Sequence, residues 1–128
     1  MKVLIVECDN NLGGLWQGHL ERAGMVVSRV ADQGRAIAYL SSFDVDVIIM
    51  NLVIGEGSAL AIADYASYRH PDARIIFVTN TSFFSDGSIF SVASNACAFL
   101  PTRTPPDDLT AMVEHHGHKD EHMGPAPA

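Results

Sequence analysis

Five short apolar runs, most of them rich in valine and isoleucine, alternate along this chain with stretches that carry apolar residues at helical spacing. Each run has the length of a strand, and most are too uniformly apolar for a sheet with one face in water. Strands that alternate with helices pack as one parallel sheet, with right-handed crossovers and helices on both faces. The pattern therefore predicts an α/β fold with a five-stranded, doubly wound parallel sheet. The runs are KVLIV (2–6), MVVSRV (25–30), VDVIIM (45–50), ARIIFVT (73–79) and CAFLP (97–101).

The segments between the runs predict helices with recognisable ends. NLGGLWQGHLERAG (11–24) stops at a glycine, a residue favoured just beyond a helix, and SALAIADYASYRH (58–70) begins with serine as N-cap. DQGRAIAYLSS (32–42) is the helix between these two, and the proline-acid stretch from 105 opens the last helix. SFFSDGSIFSVASNA (82–96) is the weakest predicted helix, since serine and glycine are mediocre helix formers. The predicted apolar face of the first helix comprises Leu12, Leu15, Trp16, His19, Leu20 and Ala23.

Length and charge restrict the class of protein. A chain of 128 residues, 48% of them hydrophobic, is sized for one domain, which we place at residues 1–115. The following residues, 116–128, predict a disordered histidine-rich tail. A net charge of −7 without any run of Lys or Arg argues against nucleic-acid binding. No apolar run reaches membrane-spanning length and no signal sequence is evident, so we expect a cytoplasmic protein with reduced cysteines.

Polar side chains gather where the predicted strands end. In an open parallel sheet, ligands bind just beyond the carboxyl ends of the strands, so these positions form the candidate site. An amide, Asn51, stands at the end of the third strand, where it carries no charge and is a poor nucleophile. The other members are Glu7, Cys8 and Asp9 after the first strand, Thr79 after the fourth, and Thr102 and Arg103 after the fifth.

Over residues 2 to about 115 the sequence resembles the receiver domain of bacterial two-component response regulators. Four segments carry the resemblance in the order and spacing of that family: VLIVECD, VDVIIMNLVIGEGSAL, IIFVTN and NACAFLPTR. They are similar to its strand with an acidic pair, its strand with the phosphoacceptor aspartate and following loop, its strand ending in Thr or Ser, and its segment ending in Lys-Pro. The resemblance implies a flavodoxin-like sheet of strand order 2-1-3-4-5.

The resemblance also assigns a role to each site position. In the family, paired acids and the acceptor aspartate hold Mg²⁺, the aspartate accepts a phosphoryl group, and a lysine and a hydroxyl bind its oxygens. Glu7 matches the first acid, Cys8 the second, Asn51 the acceptor, Thr79 the hydroxyl and Thr102 the lysine. Only Glu7 and Thr79 keep the group that this chemistry requires.

The three departures predict an atypical receiver, or pseudo-receiver, with a degenerate phosphorylation site. Asn51 cannot form an acyl phosphate, and the sulfur of Cys8 is a poor ligand for Mg²⁺, so we expect no cofactor and at most weak Mg²⁺ binding at Glu7. Neither lysine of the chain, Lys2 or Lys119, is placed to replace the family's lysine. We expect Asn51 to be a structural amide that bonds to nearby backbone.

The predicted function is that of a stand-alone protein in phosphorelay signalling that is not an enzyme and acts through protein–protein interaction. The resemblance implies a histidine kinase or a downstream output protein as partner, and a homodimer through the face of the family's fourth helix, fifth strand and fifth helix. The predicted switch and partner surface comprises Phe83, Phe84, Phe90, Phe99 and Arg103.

Two alternatives stay open at the level of sequence. In the first, Arg103 or Asp9 rescues the site and another residue accepts the phosphoryl group. In the second, Cys8 makes the protein a redox or small-ligand sensor, because it is a thiol among the residues that follow the predicted strands. The role of the histidine-rich tail, including loose binding of transition metals, is not decided by the sequence.

Overall fold

A computed structural model describes residues 1–52, 54, 57–79, 96–101 and 104–117. Within these residues the chain forms one five-stranded sheet in which all paired strands are parallel. The strand order is β2-β1-β3-β4-β5, as the resemblance implied. The strands are β1 (Lys2–Val6), β2 (Val26–Val30), β3 (Val47–Asn51), β4 (Arg74–Thr79) and β5 (Ala96–Pro101).

The helices alternate with the strands and cover both faces of the sheet. They are α1 (Asn10–Arg22), α2 (Gln33–Ser42), α3 (Ala59–Arg69) and α4 (Pro106–Gly117), the last of which is the fifth helix in the numbering of receiver domains. Helices α2 and α3 contact each other on one face, and α1 and α4 contact each other on the opposite face. The helix predicted over 82–96 lies almost entirely outside the described residues.

A hydrophobic core lies on each face of the sheet, because the side chains of each buried strand alternate between the two faces. On the α2 and α3 face, Leu4 and Met50 pack with Leu40 and Ile62. On the α1 and α4 face, Ile5 packs with residues of both helices, including fully buried side chains of α1. The central members of this second core are Val3, Ile5, Trp16, Leu20, Ile49, Ile76, Leu109 and Val113.

Local signals in the sequence explain where the helices begin and end. The carboxylate of Asp9 accepts from the backbone N–H groups of Asn11 and Leu12, and the hydroxyl of Ser58 accepts from that of Ala61, so both side chains act as N-caps. Gly24 follows α1 with φ of +93°, a backbone conformation that other residues rarely adopt. The predicted N-cap at Ser58 and the predicted stop at Gly24 are thus confirmed.

Gly13 of α1 permits a close approach of a side chain from β2. Gly13 is buried, and a Cβ at this position would lie 2.7 Å from Cδ of Arg29 on β2. The Arg29 side chain crosses the helix there and donates from Nη1 to the side-chain oxygen of Asn10 at 3.0 Å. Gly13 therefore serves the packing of α1 against β2, and a phosphate-binding role is not needed to explain it.

The first and last helices differ in part from the sequence-based predictions. Leu15 and Ala23 were placed on the buried face of the first helix, but both are exposed, Leu15 over 47% of its surface, because the residues that α1 buries are Gly13, Trp16 and Leu20. The last helix reaches Gly117, so it includes the first two residues of the predicted tail, His116 and Gly117. His115 and His116 lie in its last turn. Residues 118–128 lie outside the described part of the chain.

His70 joins the ends of two helices on the α2 and α3 face. Its side chain is 9% exposed, and its Nε2 lies 2.6 Å from the carbonyl oxygen of Leu40 in the last turn of α2. Its backbone N–H donates to Ala66 as the C-cap of α3. The sequence predicted only that the helix ends here, before Pro71. No helix in the described part of the chain is both long and apolar enough to cross a membrane.

Candidate functional site

The carboxyl ends of β1 and β3 bring Glu7 and Asn51 side by side. The two strands are paired so that Val6 lies opposite Met50, and Glu7 and Asn51 are the next residue of each chain segment. Glu7 is 2% exposed, and Asn51 is half-buried as the last residue of β3. The side-chain amide of Asn51 donates from Nδ2 to Oε1 of Glu7 at 2.8 Å. This contact joins Asn51 to a buried carboxylate, a partner that the sequence did not predict.

The second oxygen of Glu7 is also engaged. The backbone N–H of Asp9 donates to Oε2 of Glu7 at 3.1 Å. The side chain of Asp9 points to the N-terminus of α1, where its Oδ1 accepts from the N–H of Asn11 at 2.9 Å and from that of Leu12 at 3.2 Å. Asp9 is therefore the N-cap of α1, and its carboxylate does not turn inward to replace an acid at position 8.

Cys8 lies between these two acids as an exposed, free thiol. It lies between the end of β1 and the N-cap of α1. Its neighbours point away from it, because Glu7 accepts from Asn51 and Asp9 accepts from the N–H of Asn11. Because the thiol is exposed at the edge where the site lies, soluble oxidants and thiol reagents have access to it.

Thr79 stands at the end of β4, next to β3 in the sheet. Thr79 is 1% exposed. The residue before it, Val78, lies opposite Asn51 of β3, and Thr79 itself lies opposite Pro101 of β5. Over the described residues, every buried side-chain nitrogen or oxygen has a hydrogen-bond partner. The interior of this edge is thus a satisfied polar cluster, as expected for buried polar groups in a folded protein.

Several predicted site residues cannot be placed in this cluster. Thr102 and Arg103 come directly after β5 but lie outside the described residues. Phe99 belongs to β5, where its backbone lies opposite Phe77 of β4. The aromatic segment that contributes the rest of the predicted partner surface, namely Phe83, Phe84 and Phe90, also lies outside the described residues.

A contact that the sequence did not reveal joins Ser58, just before α3, to the start of α2. The side-chain oxygen of Gln33, the first residue of α2, accepts from the backbone N–H of Ser58 at 2.8 Å. Gly57, the residue before Ser58, has φ of +92°, and a Cβ on Gly57 would collide with Gln33. Ser58 is thus tied to the start of α2, and no local pattern in the sequence links positions 33 and 58.

The divalent cation implied by the resemblance can be tested against the hydrogen bonds of Glu7. Both oxygens of this carboxylate accept from N–H donors, and Oδ1 of Asp9 is used as a helix cap. The third nearby donor is sulfur, which suits Mg²⁺ or Ca²⁺ poorly. Over the described ranges, no group of three His, Cys, Asp or Glu residues could hold a metal ion. The residues present do not fit a Mg²⁺ site of the receiver type.

Charge effects elsewhere do not bear on this edge. The pKa of His116 is lowered from its ordinary value by burial first, and then by the neighbouring His115 and by Arg74. Arg74 begins β4, so Arg74 and His116 lie at the amino end of the sheet, opposite to the site. Neutral His116 is favoured there because a positive charge would be partly desolvated beside another cation.

Comparisons with known proteins support the fold. A scan against protein-family models gives no match, and a search of curated proteins gives none. Among solved structures, the chain is similar to a CheY-like response regulator receiver domain protein from Methanospirillum hungatei, with a TM-score of 0.86 and 21% identity over 96% of this chain and 98% of that one.

Two other similar structures illustrate the range of proteins with this fold. A response regulator from Burkholderia pseudomallei, crystallised with a phosphorylated aspartic acid, a calcium ion and citrate, has a TM-score of 0.79 and 18% identity over 98% of this chain and 74% of its own. A protein described as one of a family of redox sensors in the streptococci that evolved from response regulators has a TM-score of 0.82 and 18% identity, over 95% of this chain and 53% of its own. Together with the strand order and the position of Glu7, Asn51 and Thr79 at one edge, these likenesses show that the chain has the flavodoxin-like fold of response-regulator receiver domains.

Proposed function

We propose that this protein is an atypical receiver in two-component signal transduction, that it is not phosphorylated at position 51, and that it acts by binding a protein partner rather than by catalysis. One observation carries the proposal. At the end of β3, where a phosphoacceptor would present a carboxylate to solvent and metal, Asn51 presents an amide that donates to buried Glu7. An amide nitrogen that is delocalised and already hydrogen-bonded does not attack phosphorus.

The receiver fold supports a signalling role, and the partner class follows from it. Receiver domains bind histidine kinases and output proteins, so we propose a partner of one of these two kinds. Leu15 supports a docking surface on α1, because it is an exposed aliphatic side chain on the helix that leaves the site. The predicted switch and partner surface, and a homodimer through the face of the family's fourth helix, fifth strand and fifth helix, remain part of the proposal. That surface comprises Phe83, Phe84, Phe90, Phe99 and Arg103.

The experiment combines phosphorylation and partner capture. The protein is incubated with Mg²⁺ and a small phosphodonor, and its intact mass is measured beside a receiver domain with an aspartate at the corresponding position. We expect no species heavier by about 80 Da, the mass of one phosphoryl group. In the second part, the immobilised chain captures a kinase or output protein, and we expect the same amount with phosphodonor as with EDTA. The Leu15→Ala variant is expected to capture less.

Phosphorylation of the unaltered chain would contradict the proposal. Fragmentation of the heavier species would then locate the acceptor, and an acceptor other than Asn51 would support a rescued phosphotransfer site. Capture that requires the phosphodonor would show that the partner reads a phosphorylated state.

A redox function at Cys8 is the second candidate, because this thiol is exposed at the functional edge. The similarity to the streptococcal redox sensors gives it a precedent in the same fold. If Cys8 is the sensor, then peroxide, which supplies the oxidant, changes the amount of captured partner, and Cys8→Ser abolishes that change. Equal capture with and without peroxide, while Cys8 is shown by mass to be oxidised, would rule against this function.

A further inference from the structure

The site does not fit a divalent cation, and the pair formed by Glu7 and Asn51 shows what holds the buried carboxylate instead. In the interior, a carboxylate that is 2% exposed requires compensation of its charge or hydrogen bonds to both oxygens. Glu7 receives one bond from the side chain of Asn51 at 2.8 Å and one from the backbone of Asp9 at 3.1 Å. These donors occupy the oxygens that a cation would otherwise share.

We propose that the amide of Asn51 replaces the divalent cation of receiver domains as the group that joins the carboxyl ends of β1 and β3. Val6 and Met50 are the last paired residues of β1 and β3. The hydrogen bond between Glu7 and Asn51, the next residue of each segment, adds one side-chain link between the two strands. Because a hydrogen bond within the chain needs no ion, this edge keeps one arrangement whether or not divalent cations are present. The inference concerns how the edge is held together, and it does not depend on the partner proposed above.

The bridge makes positions 7 and 51 interdependent. With aspartate at position 51, two carboxylates would face each other at hydrogen-bond distance, and like charges in a buried site repel. With glutamine at position 7, only one side-chain oxygen would remain to accept from Asn51 and from the N–H of Asp9, and one of these contacts would be lost. Glu7→Gln and Asn51→Asp together restore one donor and one acceptor, because the introduced glutamine donates to the introduced carboxylate and accepts from the N–H of Asp9.

The test is a double-mutant cycle with thermal midpoints measured in EDTA and in millimolar Mg²⁺ at constant ionic strength. In EDTA, Asn51→Asp is expected to lower the midpoint by roughly 5 to 10 °C, and Glu7→Gln by a smaller amount. The double variant is expected to recover at least half of the sum of the two losses, as coupled neighbours do. Glu21→Gln is the matched control, because Glu21 accepts an amide N–H from Gln17 at 3.3 Å on the exposed face of α1.

Mg²⁺ separates the bridge from a cation site. The midpoint of the unaltered protein is expected to stay constant in Mg²⁺, and the fluorescence of Trp16, the only tryptophan, is expected to show no saturable change. Asn51→Asp is expected to regain part of its loss in Mg²⁺. The inference is overturned if Mg²⁺ raises the midpoint of the unaltered protein, or if the double variant loses the full sum of the single losses. If Asn51→Asp alone does not fold, a folded double variant still demonstrates the recovery, and an unfolded double variant contradicts it.

Discussion

Replacement of Trp16 by alanine is expected to lower the free energy of unfolding by about 3 to 5 kcal/mol. Trp16 is 2% exposed and belongs to the core between α1, α4 and the sheet. Its loss removes a large apolar surface and leaves a cavity that the helix backbone cannot close. Since small domains are stable by only about 5 to 15 kcal/mol, this one change removes a large share of the total. Urea unfolding followed by far-ultraviolet circular dichroism measures it without the lost fluorophore.

Leu15→Ala is the matched control for this prediction. Leu15 is the neighbouring residue on α1, but 47% of it is exposed, so its truncation is expected to change the free energy of unfolding by less than about 1 kcal/mol. Similar losses for the two variants would show that α1 is rotated about its axis relative to the structure described above. They would also remove the argument that Leu15 is available to a partner.

Gly57→Val is the second substitution expected to have a large effect, a loss of about 3 kcal/mol in the free energy of unfolding. The backbone of Gly57 has φ of +92°, which costs a β-branched residue roughly 1 to 3 kcal/mol. A side chain at this position also collides with Gln33 and forces it from the N–H of Ser58, which removes a hydrogen bond worth about 1 kcal/mol. Ser58 would then lose its connection to the start of α2.

Gly24→Val separates the two contributions to that loss. Gly24 has φ of +93°, but a Cβ there has nothing within 4 Å, so only the backbone strain applies. We expect Gly24→Val to cost less than Gly57→Val by about the strength of the Gln33 contact, roughly 1 to 2 kcal/mol. If chemical denaturation gives the same loss in the free energy of unfolding for both variants, the contact between Gln33 and Ser58 contributes nothing to stability.

The positions of the strands and helices were largely predictable because their signals are local. Each predicted strand begins and ends within two residues of the observed one, since a run of apolar β-branched residues can be buried in only a few ways. Ser58 and Gly24 mark helix ends through groups that act on their own turn of backbone. The tail was predicted to begin within α4, because the histidines at 115 and 116 have no apolar periodicity.

The position of these polar residues at one edge of the sheet was also predictable, but their contacts were not. The rule that chemistry gathers at the carboxyl ends of parallel strands placed Glu7, Asn51 and Thr79 at one edge. The partner of the Asn51 amide depended on which residue of β1 lies beside it, a property of strand register. Asp9 was considered as a substitute ligand, yet the N–H groups at the start of α1 lie closest to it, and its carboxylate caps them.

The sequence by itself determined the α/β alternation, the burial of the strands and the presence of an amide rather than a carboxylate at position 51, because each of these depends on residue type and spacing. Tertiary structure alone decided that Asn51 bonds to Glu7, that Gln33 bonds to Ser58, and that Leu15 faces outward. The two hydrogen bonds join residues far apart in the chain, and all three features follow from strand register and helix rotation. Both are set by packing of the whole core, which no local pattern encodes.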